Sequence, residues 1–423
     1  MTDISQIKNI HFIGIGGTGM NGLAQLAALN NFNVSGSDRK YNPSLSPYKE
    51  LRKIGIKLGF DDGSYKIEKK TLIVFSTAIE SKNKDLIKAY KNKLEIMHRV
   101  DFLKKLIPKN AEIIAITGTA GKTTTTGLLG WIFEYQNLNP SVYCGAGILN
   151  WKKNDNLGNV KLGNSNLWII ECDESDKSLL KINPTHSLIT NIGNDHLSKK
   201  ELLEVFKKFK IQTKKIHLNK IDDQIKKINF KTNLIGNHNQ NNIRTAYSFC
   251  KKYGLDIKKT KKAIELFNGI ERRLELVDIK NSIYFFDDYA HNPMKIKSTL
   301  DSLTKIPKLN KVHAFWRPHG HKSFNHGYDE LISIITNFLK TDKGSFIIMP
   351  IFYDGGTVNV NKTSEDFYKN IKKKYQNIYY VENYDILKKL FFQIVEKNNA
   401  FVTMGARDPN ISLFIKDLVK NAV

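Results

Sequence analysis

Residues 112–133, EIIAITGTAGKTTTTGLLGWIF, decide the fold of the central part of the chain. The apolar run from Ile113 to Ile116 predicts a buried β-strand, and the residues after Lys122 predict a helix. The glycine-rich loop between them can direct its backbone N–H groups and the helix N-terminus toward phosphate oxygens. The stretch therefore predicts a strand, a phosphate loop and a helix, which together form a unit of a parallel α/β sheet.

The polar residues of this loop follow a nucleotide-binding pattern. Lys122 is expected on the outer phosphates, and the hydroxyl of Thr123 is expected to reach Mg²⁺. The longest form of the pattern has a glycine where Ile116 stands, so this loop matches the shorter form G-x-x-G-K-T-T. The candidate cofactor-binding residues of the loop are Gly118, Thr119, Gly121, Lys122, Thr123 and Thr124.

A second glycine-rich turn follows the first predicted strand, in residues 9–29, NIHFIGIGGTGMNGLAQLAAL. Gly14, Gly16 and Gly19 give the pattern G-x-G-x-x-G, and Asp38 stands nineteen residues beyond Gly19, as in dinucleotide-binding folds. The pattern indicates only that a diphosphate can approach closely. NAD and a nucleotide-diphosphate sugar both fit it, and so does a turn that merely packs a helix on a sheet.

Carboxylates and a histidine follow two further apolar runs. The segment 167–176, LWIIECDESD, has Glu171 directly after a predicted strand, and the segment 190–197, TNIGNDHL, has Asp195 and His196 after another. Ligands of parallel sheets bind at the carboxyl ends of the strands. Glu171 and His196 are therefore predicted to bind a cation or act in catalysis, although a single histidine can also be purely structural.

Short β-rich runs alternate with helical stretches along all 423 residues, which predicts an α/β protein with parallel sheets. Pro108 lies in a plausible linker just before the central unit. We predict three domains: a Rossmann-like domain over residues 1–107, a central P-loop ATPase-like domain over 108–273 and a second Rossmann-like domain over 274–423.

Composition narrows the functional classes. The formal net charge is +25, and the excess is nearly all lysine spread along the chain. Nucleic-acid surfaces usually combine arginine forks with aromatic platforms, so nucleic acid is not an expected partner. No signal peptide or membrane span is predicted. The three cysteines are scattered, which favours a reducing, cytoplasmic setting.

The ordered motifs resemble those of the Mur ligase family, the ATP-dependent amide ligases of peptidoglycan precursor synthesis, and its alanine-adding branch most of all. The resemblance covers nearly the whole chain. It implies ATP and Mg²⁺ as cofactors, and UDP-N-acetylmuramate and L-alanine as the expected substrates, joined through an acyl phosphate. The motifs that carry it are HFIGIGGTGMNGLA, VSGSD, ITGTAGKTTTT, ECDESD, TNIGNDHL, GNHNQNN, FNGIERR and DDYAHNP.

The resemblance also implies residue roles. Lys122 matches the lysine of the phosphate loop, and the implied metal ligands are Thr123, Glu171 and His196. The implied contacts of ATP outside the loop are Asn239, Asn242, Arg273 and Asp288. The implied binding region for the UDP part of the substrate comprises Gly14, Gly16, Gly17, Gly19 and Asp38. His291 is a candidate base for the amine by position only, and a structural role fits it equally well. The predicted catalytic set is thus Lys122, Glu171, His196, Arg273 and His291.

Three departures from the family pattern keep alternatives open. Ser198 stands where the family usually has aspartate, and the span from His196 to Gly236 is short. The segment 315–327, FWRPHGHKSFNHG, lacks the arginines that the alanine-adding branch associates with its amino acid. The alternatives are a ligase for another amine or a peptide, a non-catalytic nucleotide-binding homologue, and an NAD-dependent oxidoreductase. Candidate anion contacts in the last domain are Arg317, His319, His321, Lys322 and Arg407.

Overall fold

A computed structural model describes residues 6–152, 156–193, 198–353 and 362–421. The chain forms two compact units. The first comprises Met1–Asn233 and Asn239–Ile270, and the second comprises Leu234–His238 and Glu271–Val423. The first unit contains two sheets and the second contains one.

The N-terminal sheet is fully parallel, with the strand order β3-β2-β1-β4-β5. Its central strands are apolar along their whole length because helices cover both faces of a parallel sheet. The strands are β1 (Asn9–Ile13), β2 (Asn33–Ser37), β3 (Lys57–Gly59), β4 (Thr71–Phe75) and β5 (Ile96–His98). The helices are α1 (Thr18–Leu29), α2 (Tyr48–Lys53), α3 (Lys84–Lys91) and α4 (Arg99–Leu106).

The central sheet has the order β11-β10-β6-β9-β7-β8, and only the edge pair β7–β8 is antiparallel. Its strands are β6 (Glu112–Thr117), β7 (Ser141–Tyr143), β8 (Val160–Lys161), β9 (Leu167–Glu171), β10 (His186–Ile189) and β11 (His217–Leu218). The helices along this part of the chain are α5 (Lys122–Tyr135), a 3-10 helix (Ser178–Lys181), α6 (Lys199–Gln212), α7 (Asp223–Lys226), α8 (Asn237–Tyr253) and α9 (Ile257–Glu265).

One hydrophobic core joins these two sheets. Ile10 and Phe102 from the N-terminal part belong to the same buried cluster as Ile170 and Phe206 from the central part. A buried amide network crosses the same boundary. Asn159 accepts from Gln25 Nε2 at 2.9 Å and donates to Asn21 Oδ1 at 2.8 Å. Their shared burial and hydrogen bonds explain why two sheets form one compact unit.

The third sheet, in the second unit, has the order β12-β13-β17-β14-β15-β16, and only β12–β13 is antiparallel. Its strands are β12 (Glu275–Lys280), β13 (Ile283–Asp288), β14 (Val312–Trp316), β15 (Gly344–Ile348), β16 (Ile378–Tyr380) and β17 (Ala400–Met404). Its helices are α10 (Pro293–Leu303), α11 (His321–His326), α12 (Tyr328–Leu339), α13 (Ser364–Lys372), α14 (Tyr384–Ile394) and α15 (Asn410–Asn421).

The predicted α/β class with three largely parallel sheets is confirmed. The strands of each sheet lie within one of the three predicted segments. The domain limits after residues 107 and 273 remain a prediction, because the compact units divide the chain in two. Among the described residues, none of the helices combines the length and apolar character needed to cross a bilayer.

Candidate active site

The loop between β6 and α5 has the geometry of a phosphate loop. Gly118 has φ +130° and Gly121 has φ +81°, backbone conformations that favour glycine. Gly121 is the N-cap of α5, and no side chain of the described residues caps this helix. The first N–H groups of α5 therefore have no side-chain acceptor, which suits a bound phosphate.

Lys122 begins α5 and folds back over the loop. Its Nζ donates to Gly118 O at 2.8 Å and to Glu174 Oε2 at 2.8 Å. Burial disfavours the ammonium ion, but the attraction and hydrogen bond of Glu174, together with the charges of Glu171 and Asp173, outweigh burial and raise the pKa of Lys122. Burial also raises the pKa of Glu174, because attraction to Lys122 offsets only part of the desolvation cost. The predicted phosphate lysine is thus held at the loop by a carboxylate.

Thr123 and Glu171 are also brought together, as predicted. Glu171 ends β9, and its two carboxylate oxygens accept from Thr123 Oγ1 at 3.0 Å and from Gly145 N at 2.7 Å. Among the described residues, no group of three or more His, Cys, Asp and Glu side chains forms a metal cluster. Mg²⁺ commonly takes one or two protein oxygens together with phosphate and water. The hydroxyl and carboxylate oxygens here fit that need.

Asn191 forms the opposite wall of the loop. Its Oδ1 accepts from Thr119 Oγ1 at 2.9 Å and from Ala120 N at 2.8 Å. Thr119 Oγ1 in turn accepts from Gly193 N at 2.9 Å. His196, the predicted metal ligand of this segment, lies outside the described residues, so its role remains a prediction.

Ser198, which stands where the family usually has aspartate, has a structural role. It is the N-cap of α6, and its Oγ accepts from Glu201 N at 3.3 Å while Glu201 Oε2 accepts from Ser198 N at 3.2 Å. Serine and aspartate are both favourable N-cap residues. A serine in place of aspartate therefore still starts this helix.

Asn239 and Asn242 lie beside the phosphate loop, on α8. Both are buried, and Asn242 Nδ2 donates to Asn239 Oδ1 at 3.2 Å. A Cβ atom added to Gly121 would lie 2.2 Å from Asn242 Oδ1. The structure therefore brings both asparagines to the loop, and their contact with adenine remains a prediction.

The N-terminal glycine turn is closed by Asp38. Gly16 N donates to Asp38 Oδ2 at 2.9 Å, and Lys40 N donates to Asp38 Oδ1 at 2.9 Å. Gly14 has φ +74° and donates its N–H to Ser37 O at 2.8 Å, and Gly17 begins α1 without a side-chain cap among the described residues. The turn and Asp38 are brought together, as predicted, while the binding of a UDP group there remains a prediction.

Arg99 links the N-terminal turn to the acidic segment after β9, and the sequence analysis missed it. Its Nη2 donates to Asp176 Oδ2 at 3.2 Å and lies 3.9 Å from Asp173 Oδ2. A Cβ atom on Gly19 would lie 2.9 Å from Arg99 Nη1. Gly19 O also accepts from Tyr143 OH at 2.8 Å. Arg99 and Tyr143 thus connect the start of α1 with the central sheet and with the segment after β9.

Arg273, Asp288 and His291 lie in the second unit. The Arg273 guanidinium stands 5.1 Å from the centre of the Tyr289 ring. Asp288 ends β13 and accepts from Thr299 Oγ1 at 3.1 Å. Burial raises the pKa of Asp288 to about 6, against the attraction of Arg273. These residues stand at the carboxyl end of a central strand, the edge where ligands of parallel sheets bind.

His291 is held as a neutral imidazole. Its Nδ1 lies 2.9 Å from Tyr289 O, and its Nε2 lies 3.5 Å from Lys295 Nζ. Burial, reinforced by the charge of Lys295, lowers the pKa of His291 to about 3. A base with so low a pKa accepts a proton poorly near pH 7. His291 is therefore the least favoured member of the predicted catalytic set, and its role as base stays a prediction.

The other candidate anion contacts of the second unit include Arg317 and His319, which contact other side chains. Arg317 forms an ion pair with Asp408, whose Oδ2 also accepts from Tyr384 OH at 2.5 Å. That pairing gives Arg317 a structural role beneath the strand ends. His319 faces His291 with ring centres 5.5 Å apart. The remaining candidates are His321, Lys322 and Arg407.

Three family models match the chain in order. They are described as Mur ligase family, catalytic domain (residues 9–110), Mur ligase middle domain (116–212) and Mur ligase, glutamate ligase domain (272–407). A UDP-N-acetylmuramate–L-alanine ligase from Dictyoglomus turgidum is 30% identical, with 94% of each chain covered. The chain belongs to the Mur ligase family. A relative of the same name from Pelagibacter ubique is 30% identical, with 96% of each chain covered.

Solved structures of the family confirm the fold. UDP-N-acetylmuramate–alanine ligase from Thermotoga maritima superposes with a TM-score of 0.82 at 22% identity, over 98% of this chain and 99% of that one. A murein peptide ligase from Psychrobacter arcticus superposes with a TM-score of 0.63 at 20% identity, over 98% of each chain. The family predicted from the motifs and its three-domain architecture are both confirmed.

Two residues of the central site were not selected from the sequence. Glu174 and Asn191 both lie in segments that were recognised, ECDESD and TNIGNDHL. Their partners could not be identified from sequence spacing, because the loops after β9 and β10 bring Glu174 to Lys122 and Asn191 to Thr119. The clustering of carboxylates in ECDESD was the available signal for Glu174.

Proposed function

We propose that this chain is an ATP-dependent ligase that joins the carboxylate of a UDP-sugar acid to the amine of an amino acid. The proposed acid is UDP-N-acetylmuramate and the proposed amine is L-alanine, as in the names of its relatives. The proposed products are an amide, ADP and phosphate, formed in the cytoplasm during peptidoglycan precursor synthesis. The observation that carries this proposal is the phosphate loop with Lys122, Thr123 and Glu171 gathered on it.

The chemistry requires an activated carboxylate, because an amine cannot expel oxide from it. Transfer of the γ-phosphoryl group of ATP to the carboxylate makes phosphate the leaving group and releases ADP. The amine then attacks the acyl carbon, the C–O bond to phosphate breaks, and the amine loses a proton. Phosphoryl transfer depends on alignment and charge neutralisation rather than on covalent help from the protein.

Residues of the phosphate loop and of β9 supply the alignment and the charge neutralisation. The N–H groups at the start of α5 bind phosphate oxygens, and Lys122 neutralises charge on the outer phosphates. Thr123 and Glu171 would hold Mg²⁺, which supplies Lewis-acid stabilisation of the transferred phosphoryl group when bound. Asn191 holds the loop in shape through Thr119 and Ala120.

The acid substrate is proposed to bind at the N-terminal turn. The N-terminus of α1 offers uncapped N–H groups for a pyrophosphate, and Gly16 and Asp38 fix the turn. Arg99 and Tyr143 tie this turn to the central domain. A UDP group there would extend its sugar acid along the first unit toward the loop that binds ATP.

A second candidate keeps the reaction and changes the amine. The segment 315–327 has Arg317 as its single arginine, and Asp408 holds that guanidinium in an ion pair. The segment therefore lacks the further arginines that the alanine-adding branch associates with its amino acid. Because this departure falls on the amine side of the reaction, the second candidate for the amine is another small amino acid or a peptide.

Phosphate release with ATP and Mg²⁺ tests both candidates. UDP-N-acetylmuramate is supplied with L-alanine, other amino acids or short peptides, and omission of either substrate serves as the control. We expect release that requires both an acid and an amine, with the best amine deciding between the candidates. ATP binding without turnover on any pair would contradict the ligase and leave a nucleotide-binding homologue, and hydride transfer with NAD would support an oxidoreductase.

A further inference from the structure

Two carboxylates at and just after the end of β9 contact the side chains that are proposed to bind the nucleotide. Glu171 accepts from the Thr123 hydroxyl, and Glu174, three residues later, pairs with Lys122. Glu171 has an assigned purpose as a metal ligand. Glu174 has no part in the proposed reaction, yet it lies 2.8 Å from the ammonium group on which phosphate binding depends.

The pair is buried deeply enough for its charge to matter. The side chain of Glu174 is 4% exposed and that of Lys122 is 17% exposed. Charges that water screens so weakly interact strongly over several ångströms. A carboxylate at this position therefore repels any phosphate that approaches the same ammonium group.

One ammonium ion cannot neutralise both partners. Lys122 already donates to Gly118 O and to Glu174, which leaves one N–H for phosphate. A triphosphate carries several negative charges, and its outer oxygens need the same donors. Phosphate oxygens that need more than this one N–H must therefore displace Glu174 from Lys122.

We propose that Glu174 is a positioning residue that holds Lys122 at the loop in the nucleotide-free protein and gives it up to the outer phosphates of ATP. The inference rests on the proposed function, because it takes the loop to be an ATP site. Glu174 stabilises the empty loop, since a buried lysine without a partner is strongly destabilising. Its cost is weaker nucleotide binding, because each binding event must displace a charge-assisted hydrogen bond.

The variant Glu174→Gln tests the competition, because glutamine keeps the shape and removes the charge. ATP binding is measured by calorimetry in EDTA, so that no turnover occurs and Mg²⁺ plays no part. We expect the variant to bind ATP about tenfold more tightly, because phosphate no longer has to displace a charge-assisted hydrogen bond. A residue that only supports the fold would weaken binding instead.

Thermal unfolding gives a second readout. We expect Glu174→Gln to unfold at a lower temperature than the wild type without ligand, and saturating ATP in EDTA to raise its Tm by more degrees than it raises that of the wild type. Asp176→Asn is the matched control, because Asp176 lies on the same loop but pairs with Arg99. This control should lose stability to the same extent with and without ATP and should keep its affinity for ATP.

The outcomes separate the inference from the function on which it rests. If the wild type binds no ATP either in EDTA or with Mg²⁺, the proposed function fails. If the wild type binds ATP and Glu174→Gln binds it equally well or more weakly, the proposal that ATP displaces Glu174 is wrong. The proposed ATP site would still be supported. Tighter binding in Glu174→Gln together with unchanged binding in Asp176→Asn supports the exchange of partners.

Discussion

Lys122 places a positive charge at the phosphate loop, where the proposed transfer of the γ-phosphoryl group takes place. Its ammonium lies over the loop, 2.8 Å from Gly118 O. We expect Lys122→Ala to lower the rate of phosphate release by at least ~10²-fold, the scale for removing a preorganised stabilising group at an active site. Steady-state rates with ATP, UDP-sugar acid and the best amine measure this loss.

The matched control for this prediction is Lys91→Ala. Lys91 lies in the last turn of α3 and is exposed, so the change removes one charge from the same unit without touching the loop. Its rate should stay within about twofold of the wild type, because surface substitutions rarely alter a distant site. Near-normal turnover in Lys122→Ala would contradict the assigned role of the lysine.

His11 gives the N-terminal domain a pH dependence of its own. Its ring is buried in β1 between Ser35 Oγ, at 2.9 Å, and Ser37 Oγ, at 3.1 Å. Burial, with a smaller contribution from the charge of Lys88, lowers the pKa of His11 from 6.5 to about 3. Between pH 3 and pH 6.5, His11 therefore binds a proton in the unfolded chain but not in the folded chain.

The sign of the effect follows from that difference. The contribution of His11 to stability is fully present above about pH 6.5 and is lost as the pH falls toward 3. We expect His11→Gln to reduce the drop in unfolding free energy between pH 7 and pH 5 by about 2 kcal/mol. Urea unfolding at the two pH values measures it. An equal drop in both proteins would show that His11 does not titrate in this way.

At the scale of single residues, the sequence predicted those whose role is set by local pattern. Lys122 and Thr123 follow from the loop itself, and Glu171 from its place after a strand. Three residues were missed because each contacts a residue of another strand or loop: Glu174, Asn191 and Arg99. Glu174 lies 52 positions from its partner Lys122, and Arg99 lies 77 positions from its partner Asp176. Sequence spacing does not give such distances, since they are set by the sheet.

The turn between β6 and α5 is the element whose geometry the site most depends on. Gly121 has φ +81°, and its missing side chain leaves room for Asn242 Oδ1, which would lie 2.2 Å from an added Cβ. We expect Gly121→Ala to lower stability by about 1–3 kcal/mol through backbone strain. We also expect it to weaken ATP binding at least tenfold, because the added methyl group displaces Asn242. Calorimetry and urea unfolding measure the two effects.

Gly254→Ala separates the backbone effect from the clash. Gly254 follows α8 with φ +93°, and no heavy atom lies within 4 Å of a Cβ placed there. This control should show a comparable backbone cost in stability and normal ATP binding. If both variants bound ATP normally, the contact between Asn242 and the loop would have no influence on the nucleotide.

Strands and helices with a clear hydrophobic pattern could be predicted from the sequence. The strand–loop–helix units around Gly14 and Gly118 were predicted because apolar runs end in glycines at each loop. The antiparallel edge strands, β8 in the central sheet and β12 in the third, were not predicted. β8 has only two residues, Val160–Lys161, and so short a strand leaves no periodicity to detect. Its pairing depends on the neighbouring strand rather than on its own sequence.

At the scale of the whole molecule, the three domains predicted from the sequence are present, but the first two pack into one compact unit. The difference lies in the contact between the first two sheets. Their helices and loops share one buried cluster that includes Phe102, Ile170 and Phe206. A pattern of strands and helices indicates which side chains are buried, but it does not tell whether two cores merge. Two domains that share a core are expected to unfold together.

Phe102→Ala tests this cooperativity. Phe102 lies on α4 with no exposed surface and meets the Phe12 ring edge-on at 5.6 Å. Its truncation is expected to cost about 3–5 kcal/mol, and hydrogen exchange followed by mass spectrometry then reports which strands lose protection. We expect the amides of β1 and β6 to exchange faster by the same factor, about a hundredfold or more, because both strands open in the same event. Phe102→Leu keeps most of the volume and should give a smaller change with the same distribution. Faster exchange in β1 with unchanged exchange in β6 would mean that the shared core does not couple the two sheets, and that the N-terminal domain unfolds alone.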